Sequence, residues 1–311
     1  MTAILSTNRI KTDKAGAWAV TAGSAIWGLF WIPLRYLEQA GIPGLWAVAL
    51  VLAAAMIPAL LVTIYKGELA ELATLNGWLV GFALSTATVL YFTAVLYTDV
   101  VRAIFLFYLL PLWTTLSARI LYGEPIRREQ ILVISAALLG LWLLLGGGFS
   151  FPIPNNVGDW CAIAAGFCWG LSLSLLRSKQ DTPPFASATA TLFAGMVLSS
   201  VCALMLQSWL TTDTTTESLR EPVDLMKTVP LAAVFGAAVL FPSMLGQIWG
   251  ARRIPAPTAA LLTMTEILVA TVWAAWLIGT DLAPISLLGG VVIIVAVFID
   301  LAAKRKQIMN L

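Results

Sequence analysis

Residues 257–278 read PTAALLTMTEILVATVWAAWLI, an apolar run of bilayer-spanning length with one ionised side chain, Glu266, near its centre. A bare carboxylate at that depth is costly, so protein, water or a passenger must solvate it. The same apolar pattern recurs along the rest of the chain. Stretches of about twenty residues, each long enough to cross a hydrocarbon core, occupy residues 15–37, 44–65, 76–97, 100–122, 128–145, 157–176, 184–210, 229–249, 257–278 and 284–303. Charged residues make up 11% of the 311 and fall mostly between these stretches, while 60% of the chain is hydrophobic. That leaves too little polar surface to cover a soluble globule, and the bilayer is the expected solvent.

Hydrocarbon cannot hydrogen-bond a bare backbone, and the runs lack the alternation of a membrane barrel, so each is predicted to be a helix. The expected fold is all-α, a polytopic membrane protein. The first run carries Trp18, Trp27 and Trp31 and reaches Arg35 without a small-residue cleavage pattern, so it reads as a retained span. Of the 18 Lys and Arg, only Arg35, Arg102, Arg220 and Lys227 fall on the side opposite the N-terminus. The positive-inside rule then puts both termini in the cytoplasm, which an even number of spans requires. The formal net charge of +2 is scattered over short juxtamembrane loops, which argues against a nucleic-acid partner and for contact with membrane lipid.

Cys161, Cys168 and Cys202 all lie within expected spans, where they draw neither a disulfide framework nor a zinc spacing. Histidine is absent from the sequence, which removes the usual proton shuttle and the commonest metal ligand. No cofactor or metal is expected.

A Gly/Pro-rich connection, GGGFSFPIP at 146–154, punctuates the chain near its midpoint. The expected division is a cytoplasmic N-terminal segment at 1–14, a five-helix repeat at 15–146, a linker at 147–156, a second repeat at 157–303 and a basic cytoplasmic tail at 304–311. Trp27-Gly28-Leu29 with Arg35 is echoed at the same interval by Trp169-Gly170-Leu171 with Arg177. Leu110-Pro111 precedes Gly123 as Glu266-Ile267 precedes Gly279. Spans one and six, and four and nine, therefore correspond. Because five is odd, corresponding helices run antiparallel, giving two inverted repeats. Residues 211–228 are threonine-rich and acidic and read as a solvated external loop.

These motifs resemble the drug/metabolite transporter superfamily, EamA type, whose pattern has Trp-Gly in the opening helix of each half and Pro, then Gly-Glu, in the fourth. Here the matching residues are Trp27-Gly28, Pro111 and Gly123-Glu124, then Trp169-Gly170, Glu266 and Gly279, with Ile267 and Thr280 departing from the pattern. Within the superfamily the chain is most similar to the YddG-type aromatic amino acid exporters. The resemblance implies a ten-helix carrier of small metabolites in the bacterial inner membrane, its cavity lined by the first, third, fourth, sixth, eighth and ninth helices.

The candidate substrate-binding residues are Trp27, Trp31, Tyr91, Tyr108, Trp169, Gln247 and Glu266. Two roles fit Glu266: binding a passenger ammonium or exchanging a proton, or simply hydrogen-bonding a hydroxyl or amide beside a bent helix. Trp27 and Trp169, with Trp31 one turn on, offer ring faces and indole donors to an amphipathic solute, or pack between helices. Tyr91, Tyr108 and Gln247 need polar partners in a cavity or on a neighbouring helix. Pro33, Pro58, Pro111 and Pro242 interrupt spans, and Pro111, Pro33 and Pro242 are candidate hinges. Gly289-Gly290 reads as close helix contact.

An enzyme is disfavoured, since there is no GxSxG, no HExxH, no histidine base and no paired acid at membrane depth. Gly146-Gly147-Gly148 is not followed by Gly-Lys-Ser/Thr, so the chain itself has no ATP-hydrolysing domain. The expected function is secondary export of neutral and aromatic amino acids by alternating access. A drug/metabolite or nucleotide-sugar carrier, a channel and an assembly protein are the alternatives.

Overall fold

The computed structural model describes residues 13–42, 44–147, 153–179, 182–210, 225–278 and 283–309, and all regular structure among them is helical. The helices are α1 (Lys14–Trp27), α2 (Trp31–Gln39), α3 (Gly44–Tyr65), α4 (Leu75–Tyr97), α5 (Val100–Phe107), α6 (Leu110–Tyr122) and α7 (Arg128–Leu144) in the first half. The second half holds α8 (Val157–Ser178), α9 (Pro184–Leu210), α10 (Leu225–Phe235), α11 (Phe241–Ala251), α12 (Ala256–Thr263), α13 (Thr265–Ile278) and α14 (Pro284–Met309). Nine spans among the described residues are long and apolar enough to cross a membrane. The tenth is α7, whose 17 residues pack along α14. Of the connection at 211–228, residues 211–224 lie outside the described residues, as do the tail side chains from 304 onward, and the rest of the connection opens α10.

Polar residues set the helix ends where the sequence supplies caps. Asp13 accepts from the amides of Ala15 and Gly16 at 2.9 and 3.3 Å, and Asp99 accepts from Val101 and Arg102 at 3.0 and 3.1 Å. Asn156 receives the Asp159 amide at 2.8 Å. Each acceptor satisfies N–H groups that have no partner inside the helix. Gly123 ends α6 with φ 71°, a left-handed conformation that suits glycine.

Four spans are not continuous α-helix. The first breaks between α1 and α2 at residues 28–30, the fourth at Tyr108 and Leu109, and the ninth at Met264, while the eighth bulges through a π turn at Gly236–Leu240. Pro111 and Pro242 are the second residues of α6 and α11, and Pro33 is the third of α2. All three follow a break or bulge, where a missing N–H leaves no helical carbonyl wanting. Pro58 differs: it lies inside α3, which runs on through it.

The breaks in spans four and nine fall in the register that the paired motifs predict, and the packing follows the same two-fold. The first span lies along the eighth as the sixth lies along the third, the second pairs with the seventh, and the fifth with the tenth. At residue level the symmetry is a backbone contact. A Cβ on Gly28 would collide with the Glu266 carbonyl and come within 3.2 Å of the Ala270 amide. A Cβ on Gly170 would meet the Leu110 carbonyl at 3.2 Å and the Thr114 amide at 2.9 Å. Leu110 and Thr114 correspond to Glu266 and Ala270, so the Trp-Gly echo marks where each repeat's opening helix touches the backbone of the other repeat's broken helix. Gly289 packs likewise against the backbone of Gly140 and Leu144.

Backbone cannot yield as a flexible side chain can, so an added methyl here is expected to cost about 1–3 kcal/mol of overpacking. Gly28→Ala and Gly170→Ala should each lower the melting temperature in detergent and the yield of monodisperse protein. Gly246→Ala, whose added carbon meets nothing nearer than 3.4 Å, should leave both unchanged. Equal melting of all three variants would show that the seam has room for an added methyl.

Candidate functional site

The helix breaks deliver aromatic rings to the seam between the repeats. Trp27 is the last residue of α1, Phe30 sits in the break after it, Phe107 ends α5 and Tyr108 opens the next break. Unbroken α4 and α8 contribute Tyr91, Phe92 and Trp169. Phe30 stacks on Trp27 with centroids 4.9 Å apart, and Trp27 meets Trp169 at 6.0 Å. Trp169 meets Phe107 at 6.0 Å, Phe107 meets Tyr91 at 4.8 Å, Tyr91 meets Phe92 at 5.8 Å, and Phe92 returns to Phe30 at 5.6 Å. Six rings thus close a circuit. Phe235, the last residue before the π turn, joins it at Phe30, and Tyr108 joins at Phe107. Edge and offset contacts of this kind are worth about 0.5–1.5 kcal/mol each beyond the burial of the rings.

Polar groups border this apolar centre. Glu266 is the second residue of α13, just past the ninth-span break, and is half-buried. The Tyr108 phenol lies beside its carboxyl, and Tyr91 is close enough to feel the same charge. The Tyr108 hydroxyl completes no hydrogen bond of ordinary length and angle among the described residues. Beyond Trp169 a void of about 10 Å³ remains, room for about one water, lined by Trp169, Gln247 and the apolar side chains of Leu84, Leu173, Leu176, Met244 and Ile248.

Of the residues singled out from sequence, Trp27, Tyr91 and Trp169 are members of the circuit and Tyr108 adjoins it. Glu266 stands at the break beside Tyr108. Gln247, on α11, lies apart from the circuit and shares the void with Trp169. Trp31 opens α2, and its side chain lies outside the described residues. Sequence reasoning missed Phe30, Phe92, Phe107 and Phe235. Phe30 and Phe107 had a readable signal, since each neighbours a Trp or Tyr beside a repeat motif, whereas Phe92 and Phe235 had none.

A model of the EamA-like transporter family matches residues 14–146 and 156–301. Over 218 residues, 67% of this chain, the sequence is 27% identical to an "uncharacterized transporter YyaM" of Bacillus subtilis (strain 168). The matched region spans 66% of that relative's length. A crystal structure known only as that of a protein superposes with a TM-score of 0.72 at 17% identity, over 95% of this chain and 99% of the other. The likeness carries the fold.

Charged groups tie the two ends of the bundle. At the end holding Asp13, Arg253 donates to the Asp13 carboxylate at 3.0 Å and stacks on Trp249 at 3.8 Å. That hydrogen bond holds the Asp13 carboxyl below the usual carboxylate range. Nearby, Arg252 donates to the carbonyls of Thr182 and Pro183 and to Ser187 Oγ at 2.6 Å. Burial pushes the Arg252 guanidinium down to about 10, still charged at neutral pH, and Glu68 opposes the shift. Glu68 itself receives the Ala186 amide at 3.1 Å. At the opposite end Arg102 meets Asp159 at 2.5 Å, and that fully buried carboxylate also accepts from Thr98 Oγ1 at 2.7 Å and the Asn155 amide at 3.1 Å. This clamp joins the start of the sixth span to the turn between the third and fourth, as Asp13 and Arg253 join the first to the eighth.

Removing only Arg102 leaves a desolvated carboxylate short of its strongest donor, a loss on the order of 1–3 kcal/mol. Arg102→Met is therefore expected to lower the melting temperature more than the double variant Arg102→Met/Asp159→Asn, in which no charge is stranded. Equal destabilisation by both would mean that the pair contributes packing alone.

Proposed function

The chain belongs to the EamA-like transporter family, and we propose that within it the protein is a secondary exporter of neutral and aromatic amino acids working by alternating access. The observation that carries this reading is the circuit of six rings at the seam of the two repeats, with the Glu266 carboxyl at its margin. A passenger with its own ring replaces ring-on-ring contacts with equivalent ones, so the site opens around an aromatic solute at little net loss of stacking. Glu266 attracts the passenger's ammonium, and its place in a low-dielectric setting strengthens that pairing.

The breaks supply the movement. Pro33, Pro111 and Pro242 follow discontinuities in three spans, and these are the proposed hinges between a state open to one side and a state open to the other. The clamps at the two ends separate in turn. The distribution of Lys and Arg favours both termini in the cytoplasm, and the family resemblance favours the bacterial inner membrane. With no ATP-hydrolysing domain in the chain, the solute's own gradient, alone or with a coupled ion, provides the driving force.

Reconstituted protein loaded with unlabelled tryptophan is expected to accelerate uptake of labelled tryptophan, and equal rates with and without internal solute would favour a channel or an assembly role. Acceleration confined to nucleotide sugars would place the protein on another branch of the superfamily. Glu266→Gln should weaken transport of aromatic amino acids by about tenfold, the worth of one charge-assisted hydrogen bond. Wild-type transport by that variant at every pH would remove the carboxylate from the mechanism. Trp27→Ala opens the circuit and should reduce transport of aromatic more than of small neutral amino acids.

A further inference from the structure

Trp169 and Gln247 are 4% and 6% exposed, yet the indole Nε1–H of one and the amide Nε2 of the other have no hydrogen-bond partner among the described residues. Both line the same small void, whose remaining walls, among them Leu84, Leu173 and Met244, carry no side-chain oxygen or nitrogen. An indole nitrogen can only donate, and buried donors left unpaired are rare in folded proteins. The Gln247 stem is held close against the first span: a Cβ on Gly23 would come within 2.7 Å of its Cγ. Two unpaired donors on different helices, carried by side chains that share one void, mark a site for an acceptor that arrives from outside the chain.

We infer that Trp169 Nε1 and Gln247 Nε2 form the carboxylate subsite of the passenger. The inference rests on the exporter reading and adds to it the group that distinguishes an amino acid from an amine. A carboxylate is the strongest acceptor to which neutral N–H groups can donate, and no cation of the chain is needed beside it. The placement matches a zwitterion. Gly28 packs on the Glu266 backbone, and its neighbour Trp27 touches Trp169 at 6.0 Å, so Trp27 links the break that carries Glu266 to one of the two donors. An amino acid lying across Trp27 presents its ammonium toward Glu266 and its carboxylate toward Trp169 and Gln247.

The test compares ligands that differ only at this group, tryptophan and tryptamine, by thermal-shift titration of purified protein and by competition in counterflow. Wild-type protein should bind tryptophan about tenfold or more tightly than tryptamine, as expected for hydrogen bonds to a charged acceptor. Gln247→Leu and Trp169→Phe should each erase most of that ratio, weakening tryptophan several-fold more than tryptamine. Gln247→Glu, of nearly the same shape, guards against a folding defect and should reverse the preference in favour of tryptamine. A ratio unchanged in all three variants overturns the carboxylate subsite and assigns the donors to a resident water, while the exporter reading stands. A wild-type protein that responds to neither compound, nor to any other amino acid, overturns the exporter reading and the subsite with it.

Discussion

The arrangement depends on two places where backbone touches backbone across the repeats. Gly28 and Gly170 bring the opening helix of each half against the broken helix of the other, so closely that no side-chain atom fits between. In a bilayer there is little hydrophobic gain from packing one apolar helix on another, and close approach through small residues supplies dispersion contact in its place. The contact also fixes the rotation of α1 and α8. With the glycine turned onto the partner backbone, the preceding tryptophan is directed into the seam, which explains why Trp and Gly occur together in both halves.

Once that rotation is set, the breaks have a clear use. Trp27 and Phe30 stack across the first break, and Phe107 and Tyr108 meet at the fourth-span break, so each break sets a pair of rings at the seam beside Tyr91 and Phe92 of continuous α4. The same geometry brings Glu266 to the start of a helix, where the local N–H dipoles favour a negative charge. Chemistry and mobility therefore share the same few residues, and the continuous helices α3, α7, α9 and α14 serve as the frame.

Much of the fold was legible in the amino-acid sequence because the bilayer imposes it: span lengths, the count of ten and the helical state all follow from hydrocarbon that cannot hydrogen-bond a backbone. The repeat register was legible too, since Gly28 and Gly170 cannot be replaced without a collision and so leave a visible echo. The ring circuit was only half legible. In a lipid-solvated helix an apolar residue is equally suited to the acyl chains and to the protein interior, so nothing set Phe92 or Phe235 apart from the other phenylalanines. The breaks at residues 28–30 and at Met264 contain no proline and escaped notice, as did the Arg102–Asp159 pair, although an acid at a helix start facing a base on the same side is a signal that charge counting contains. Gln247 and Trp169 were named separately, and only three-dimensional packing brings the two side chains to one void.

The tight centre has a further physiological meaning. A void with space for about one water, walled by Trp169, Gln247 and five apolar side chains, holds no continuous thread of water. Solvent at that point is about one molecule, so the space shared by Trp169 and Gln247 gives protons no relay of waters to follow.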